Sequence, residues 1–315
     1  MKIMVTGATG FIGSHLIEYL VKDGVNEISI IKRSSSNIWR IREHIDTIKS
    51  YDVDKKDITK IVEEDKPEMI IHLATFYKKN HAFEDISSMI SSNIEFPTKI
   101  LEAMVLVGVK YFINTGTFFE KNYDVSFSNP LGVGKPVNLY ASTKLAFEEM
   151  LKFYTFNYDI KAITLKLFSP YGYKENSYKL IPYLIRSIMN GEKVGLTQGE
   201  QLLDFTYVKD IVSAYINSIK YITCMKENYQ DFEVGTGTPH TVREVAEILS
   251  EISGIDSNLE WGAIPYADNE IFYSKADISK TMNCLKWKPK YSLGEGLQET
   301  FNQYKGEKNG GREYY

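Results

Sequence analysis

Cysteine is nearly missing from this chain. Only Cys224 and Cys284 occur in 315 residues, far apart in sequence. They form neither a disulfide framework nor a metal-type cluster, which fits a reducing compartment and gives no metal site to expect. Long apolar runs are also missing, and none approaches the ~20 residues of a membrane span. There is no basic excess: 37 Lys and Arg stand against 41 Asp and Glu, a net charge of −4. A polyanionic partner such as nucleic acid is therefore not expected. Internal repeats and low-complexity tracts are absent, and only 306–315 reads as a frayed, flexible tail. Met1 stands directly before the first strand, so the expectation is no signal peptide and a cytoplasmic protein. The length allows one large core, or a main domain with a smaller second one.

The most informative stretch is the first. Ile3 to Val5 reads as a strand buried on both faces. Gly7, Gly10 and Gly13 follow, and then a helix with Phe11, Ile12, Leu16, Tyr19 and Leu20 on its apolar stripe. A buried strand, a glycine turn and a helix N-terminus form a phosphate cradle: glycine admits close approach, and the helix start offers free N–H groups and a positive dipole end.

Glu27 to Ile31 reads as the second parallel strand, and its exit carries Lys32, Arg33 and Ser34. Units that bind NAD usually place a carboxylate here, on the ribose hydroxyls. A cation flanked by hydroxyls suits a 2′-phosphate instead, which predicts NADP(H). Glu68 to Leu73 is the next buried strand, preceded by Asp57 and Ile58 opening a polar helix and followed by Ala74 and Thr75. His72, alone in an apolar run, reads as a packed core residue. A long helical pattern from Ile86 to Val107 carries Asn93 on its apolar stripe. Tyr111 to Asn114 is a further strand, running into Thr115 at the carboxyl edge, where ligands of parallel sheets collect.

Tyr140 and Lys144 then open a helix that runs to about Tyr158. One helical turn separates them, so both face the same way. An ammonium beside a phenol favours the phenolate, which predicts a Tyr140 pKa below ~10 and a usable general acid–base group. Beyond residue 172 helices and short strands alternate less regularly. The expectation is an α/β protein: a Rossmann-type doubly wound parallel sheet over 1–171, with late strands near 205–208 and 231–235 returning to it, and a smaller C-terminal α/β substrate-binding domain over 172–305.

With these residues in view, the chain resembles the extended short-chain dehydrogenase/reductase family that modifies nucleotide sugars. The motifs are GATGFIG (7–13), IIHLAT (70–75), YASTK (140–144), LFSPYG (167–172), GEQLLDFTYVKD (199–210), VGTG (234–237) and WKP (287–289). Within it the chain is similar to the CDP-abequose/CDP-paratose synthase branch, through NTGTFFEKN (114–122), KLIPYLI (179–185) and the WGAI and DNEI segments. The resemblance implies that Gly7, Thr9, Gly10, Phe11 and Ile12 hold the cofactor pyrophosphate, and that Asp57 and Ile58 meet the adenine. Leu73, Ala74 and Thr75 would border the cofactor, and Phe168 and Pro170 would flank its nicotinamide. Tyr140 would protonate the C4 oxygen, Lys144 would bind the ribose and tune Tyr140, and Thr115 would hydrogen-bond the substrate carbonyl. Substrate would also meet Tyr77, Thr117, Phe118 and Ser169, and further out Lys179, Leu180, Gln201 and Tyr207. Asn93 would support the site, or simply pack. A homodimer through the 86–107 and 140–158 helices is implied as well.

Two departures sharpen the expectation. The dehydratases of this family carry an Asp–Glu pair where this chain has Gly116 and Thr117, so elimination is not expected. Arginines that, by the resemblance, normally hold the substrate diphosphate are replaced by Leu203 and Ala267, so either Lys174, Lys179 or Arg186 substitutes or the substrate differs from the usual nucleotide sugar. The reading is an NADPH-dependent reductase of the C4 ketone of a nucleotide-linked 4-keto-(3,)6-deoxyhexose. CDP-4-keto-3,6-dideoxyglucose is the first choice, in deoxysugar biosynthesis for surface polysaccharide such as lipopolysaccharide O-antigen. The alternatives are a 4-epimerase that retains NAD, a 4-ketoreductase of a dTDP- or GDP-linked sugar, and a non-catalytic NADP-sensing protein on the same fold.

Overall fold

The computed structural model describes residues 1–24, 27–121, 134–255, 258–267 and 270–309. Among them a seven-stranded parallel sheet runs in the order β11-β6-β5-β4-β1-β2-β3. Its strands are β1 (Ile3–Thr6), β2 (Ile28–Lys32), β3 (Lys49–Asp52), β4 (Met69–His72), β5 (Tyr111–Thr117), β6 (Lys161–Leu167) and β11 (Tyr229–Val234). Every residue of β1 and β4 is buried, as an apolar run between two helix layers must be. Chain order reverses between β1 and β4, so the crevice at their carboxyl ends is where a ligand belongs.

The helices α1 (Phe11–Lys22) and α7 (Val208–Ile222) pack on one face, in the core built around Leu16, Ile17, Ile113 and Ile211. The opposite core joins α2 (Ile58–Asp65), α4 (Phe96–Val107) and α5 (Leu139–Asn157) through Ile61, Ile100, Phe112 and Phe147. A separate cluster centres on Tyr171, Leu184, Val245 and Leu297. It packs α6 (Leu180–Asn190), α8 (Val242–Ser253) and α10 (Leu293–Asn309) into a C-terminal lobe, with short ladders of β7 (Pro170–Tyr171), β8 (Val194–Leu196), β9 (Leu202–Leu203), β10 (Thr206–Tyr207), β12 (His240–Thr241) and β13 (Leu259–Trp261). The short α9 (Ser279–Leu285) covers the β11 edge.

The α/β architecture expected from the motifs is the one observed, and its differences from the sequence reading have simple causes. β3 is an edge strand with only Tyr51 buried, so it carries no apolar run to announce it. β10 pairs with β7 and not with the main sheet, so of the two late strands only β11 returns. Residues 306–309 continue α10; the rest of the expected tail lies outside the described residues. The Ile86–Val107 pattern is α3 (Asp85–Ile90), a π turn over Ser91–Glu95 and α4, and Asn93 lies inside the π turn. No helix among the described residues is long and apolar enough to cross a membrane.

Candidate active site

The turn after β1 is shaped around missing side chains. Gly7 has φ +71°, and a Cβ there would stand 2.5 Å from the Ala74 backbone nitrogen. A Cβ on Gly13 would stand 2.2 Å from the Gly7 carbonyl oxygen, so α1 can settle on the turn only as glycine. The same packing brings Leu73 and Ala74, at the exit of β4, against the glycine turn. Helix α1 has no side-chain N-cap and no acid in its first turn, so its first N–H groups have no side-chain acceptor there and keep their positive field. A nucleotide pyrophosphate fits this cradle, with Gly7, Thr9, Gly10, Phe11 and Ile12 as the residues that would hold it.

The exit of β2 is more mixed than its sequence. Ser34 donates its N–H to Asp54 at 2.8 Å and its hydroxyl to Asp52 at 2.7 Å. Lys32 sits in register beside Asp52. The Arg33 guanidinium is exposed and makes no hydrogen bond or ion pair among the described residues. Asp57 and Ile58, expected beside the adenine, stand at the start of α2. Asp57 is the N-cap of α2, its Oδ1 accepting from Thr59 N–H at 2.9 Å, and Ile58 is sealed in the core. The carboxylates bonded to Ser34 at this exit are Asp52 and Asp54; a cap and a ligand read alike in sequence.

Tyr140 and Lys144 lie in the first two turns of α5, 8% and 3% exposed. Asn138 starts the helix by accepting from Ala141 N–H at 2.9 Å. The Tyr140 ring meets Tyr77 edge-on at 4.9 Å, and the Lys179 ammonium sits 4.1 Å over the Tyr77 ring. Tyr140, Tyr77 and Lys179 thus converge. Burial pushes the Tyr140 phenol above its ordinary range, a hydrogen bond with Thr75 opposing it. This corrects the sequence expectation of a lowered pKa: desolvation, with the Glu120 charge added to it, outweighs the Thr75 hydrogen bond. Burial likewise pushes Lys144 down, to about 8, against the pull of Glu120 and Glu148.

Asn93 explains how the segment after β4 is held. Its Oδ1 accepts from Thr75 Oγ1 at 3.0 Å and Phe76 N–H at 2.8 Å. Its Nδ2 donates to the Phe76 carbonyl and to Thr143 Oγ1, both at 3.0 Å. Every donor and acceptor of the amide is used, and α5 is tied to the 75–76 strap. The π turn is what aims Asn93 inward. Asn93→Leu should strand these partners at about 1–3 kcal/mol for each that stays buried, and lower the melting temperature by several degrees. Thermal unfolding checks this, and an unchanged melting temperature would show that the bonds carry no load.

Thr115 stands at the carboxyl end of β5 with two protein partners. Its hydroxyl donates to the His72 carbonyl at 2.8 Å and lies 2.6 Å from the Tyr215 hydroxyl of α7. The reason is the alternation of β5: residues 113 and 115 face the α1/α7 layer, whereas Phe112 faces α4 and α5. With its proton on His72, Thr115 accepts from Tyr215, and donating to a substrate would mean releasing His72. Thr117 caps the following turn by accepting from Phe119 N–H at 3.3 Å. Phe118 and Phe168 stack on each other at 5.4 Å, 6% and 0% exposed. Ser169 and Pro170 follow, half-buried, with Ser169 at φ +20°. Tyr207 is a core residue, 2% exposed between Tyr171 and Tyr291.

The comparisons give the family and the fold. The profile described as "NAD dependent epimerase/dehydratase family" matches residues 3–235. The chain belongs to that family. CDP-abequose synthase of Salmonella muenchen is 32% identical over 302 residues, covering 95% of this chain and 96% of its own. UDP-glucuronate 4-epimerase of Thermodesulfobacterium geofontis is 28% identical, covering 95% and 94%. The solved UDP-glucose 4-epimerase of Thermotoga maritima, 26% identical, superposes with a TM-score of 0.85 over 97% of this chain and 99% of that one. The resemblance drawn from the motifs therefore holds for the whole chain.

The two positions where the resemblance leads one to expect arginine are occupied by uncharged side chains. Leu203 pairs with His240 between β9 and β12, and Ala267 is exposed. Of the expected substitutes, Lys174 is committed to the Arg40 carbonyl and Glu18, and Arg186 is exposed on α6. Lys179 alone of the three is beside Tyr77. Lys79, which no sequence motif singles out, joins it from the β4 side, 3.1 Å from both Glu270 oxygens. Leu180 and Gln201 belong to the C-terminal lobe; Gln201 is 6% exposed and its Oε1 has no partner. Tyr215 likewise has no signal in the sequence, because on the stripe of α7 it reads as ordinary core.

Proposed function

We propose that this enzyme is an NADPH-dependent 4-ketoreductase of a nucleotide-linked 4-keto-(3,)6-deoxyhexose, with CDP-4-keto-3,6-dideoxyglucose as the first candidate. The observation that carries the reading is the buried Tyr140 phenol, kept protonated one turn from Lys144, with Gly116 and Thr117 where elimination would need acids. The similarity to CDP-abequose synthase over nearly the whole chain supports the nucleotide and the deoxysugar.

Held by the turn from Gly7 to Ile12, a dihydronicotinamide cofactor would supply the hydride for the carbonyl carbon. Tyr140 gives its proton to the carbonyl oxygen as that oxygen gains charge, so the C=O becomes CH–OH. Lys144, on the same face of α5, stabilises the phenolate left behind and returns a proton to it. Tyr77 and Lys179 stand at the mouth above Tyr140, and Lys79 with Lys179 takes the substrate diphosphate where this family's arginines are lacking. Thr115 orients the ketone by exchanging its His72 bond for the substrate oxygen. The product enters deoxysugar synthesis for surface polysaccharide, in the cytoplasm.

NADPH loss at 340 nm in the presence of CDP- or dTDP-4-keto-deoxyhexoses tests the reading; absence of oxidation with all of them would overturn it. One feature favours a second reading, a 4-epimerase retaining NAD: Asp52 and Asp54 beside Ser34 suit ribose hydroxyls better than a phosphate. Stoichiometric NAD in the purified protein would select it.

The homodimer belongs to the same proposal. Leu106, Met150, Phe153 and Phe156 are 67%, 44%, 55% and 88% exposed on α4 and α5, an apolar face that a second copy would cover as a four-helix interface. Phe156→Glu should shift the light-scattering mass from dimer to monomer; a wild-type monomer would contradict it.

A further inference from the structure

A carboxylate is sealed beneath the reactive pair and has no part in the chemistry above. Glu120 closes the short turn Phe118–Glu120 after β5 and is 1% exposed. Its Oε1 accepts from Thr117 N–H at 2.8 Å, and its Oε2 lies 3.1 Å from Lys166 Nζ on β6. It fits there because residue 116 has no side chain: a Cβ on Gly116 would be 2.9 Å from Glu120 Oε1. Lys166 also meets Glu148 Oε2 at 3.1 Å and Asp231 Oδ2 at 3.6 Å. Glu148 is one turn beyond Lys144 on α5, and Lys152, one turn further, reaches Glu148 Oε1 at 3.1 Å.

The charges balance only as a set. Glu120 and Glu148 are the buried carboxylates; Lys166 and Lys144 are the buried lysines. Lys166 holds both carboxylates directly, whereas Lys144 has no carboxylate within ion-pair distance among the described residues. Neutralising one carboxylate would leave a buried positive excess, and the least anchored lysine would lose its proton first.

We propose that Glu120 is a positioning residue: through the buried Glu120–Lys166–Glu148 ladder its charge keeps the Lys144 ammonium protonated beside Tyr140. This rests on the reading of Tyr140 and Lys144 as the reacting pair. Lys144 is faced by Glu148 from its own helix, one turn beyond it as Tyr140 is one turn before it, by Glu120 from the turn after β5 and by His72 from β4, while Lys166 on β6 reaches it through the two carboxylates. Asp231 on β11 reaches Lys166. His72 is neutral, since burial and then the Lys144 charge hold it well below the imidazole range, and its Nδ1 is bonded to Thr6 Oγ1 at 2.8 Å. The two carboxylates are also what opposes the burial that pushes Lys144 down to about 8.

The test titrates Lys144 in the full-length protein without substrate, by NMR of lysine labelled with ¹³C at Cε, the signal being assigned by its loss in Lys144→Arg. In Glu120→Gln, whose amide oxygen can still accept from Thr117 N–H, the midpoint should fall by about one pH unit or more. The alkaline limb of kcat/KM for ketone reduction should move down with it, and Glu120→Asp should restore part of the shift. An unmoved midpoint in a folded Glu120→Gln protein overturns the proposal, even if kcat falls. Should Glu120→Gln not fold, Gly116→Ala displaces the carboxylate while keeping every charge; a lowered midpoint supports the proposal and an unmoved one overturns it. The titration needs no substrate, so it decides the role of Glu120 even where the substrate assignment is wrong.

Discussion

Tyr140→Phe is expected to lower kcat for NADPH-dependent ketone reduction by about 10²–10⁴-fold, the range a positioned general acid contributes. Phenylalanine keeps the edge-on contact with Tyr77 and removes only the hydroxyl. The melting temperature and the affinity for NADPH should therefore stay close to those of the parent enzyme. Steady-state kinetics and cofactor titration separate these quantities. Because the phenol is protonated in its buried setting, the loss should fall on the proton-transfer step and not on KM. A kcat equal to that of the parent would remove Tyr140 from the mechanism.

The second large effect concerns the cofactor. Arg33 is the exposed cation at the β2 exit with no partner among the described residues, while Lys32 has Asp52 as its register neighbour and Ser34 is bonded to Asp52 and Asp54. If a 2′-phosphate is bound, Arg33 carries it. Arg33→Glu removes a charge-assisted hydrogen bond of about 1.5–3 kcal/mol, so KM for NADPH should rise by about 10–150-fold. KM for NADH should hardly move, because its ribose has no phosphate to lose. Equal changes for both cofactors would mean that Arg33 does not read the phosphate.

How much of this is legible in the residues depends on the range of the cause. The glycine turn, the buried strands and the Tyr140–Lys144 spacing are local, and the chain displays them in a few consecutive positions. β3 is silent in the sequence because an edge strand needs only one buried side chain, Tyr51. Asp57 caps α2, a role the sequence does not separate from ligand binding because both use the same residue type. The Tyr140 pKa runs opposite to expectation because the sequence shows the lysine neighbour but not the depth of burial, and burial decides. Thr115 stands at the expected strand end, yet its partners His72 and Tyr215 come from 43 and 100 residues away. Glu120 is the extreme case: its place depends on a turn, on a missing Cβ at Gly116 and on a lysine from the next strand.

The most direct test of the central claim follows one hydrogen. NADPH carrying deuterium at the transferable nicotinamide position is incubated with the enzyme and CDP-4-keto-3,6-dideoxyglucose, and the product is examined by NMR and mass spectrometry. Deuterium at C4 of the sugar, one for each NADP⁺ released, is the expected result. Unlabelled 4-epimers in equilibrium, with NAD retained on the protein and no net oxidation of NADPH, would contradict it.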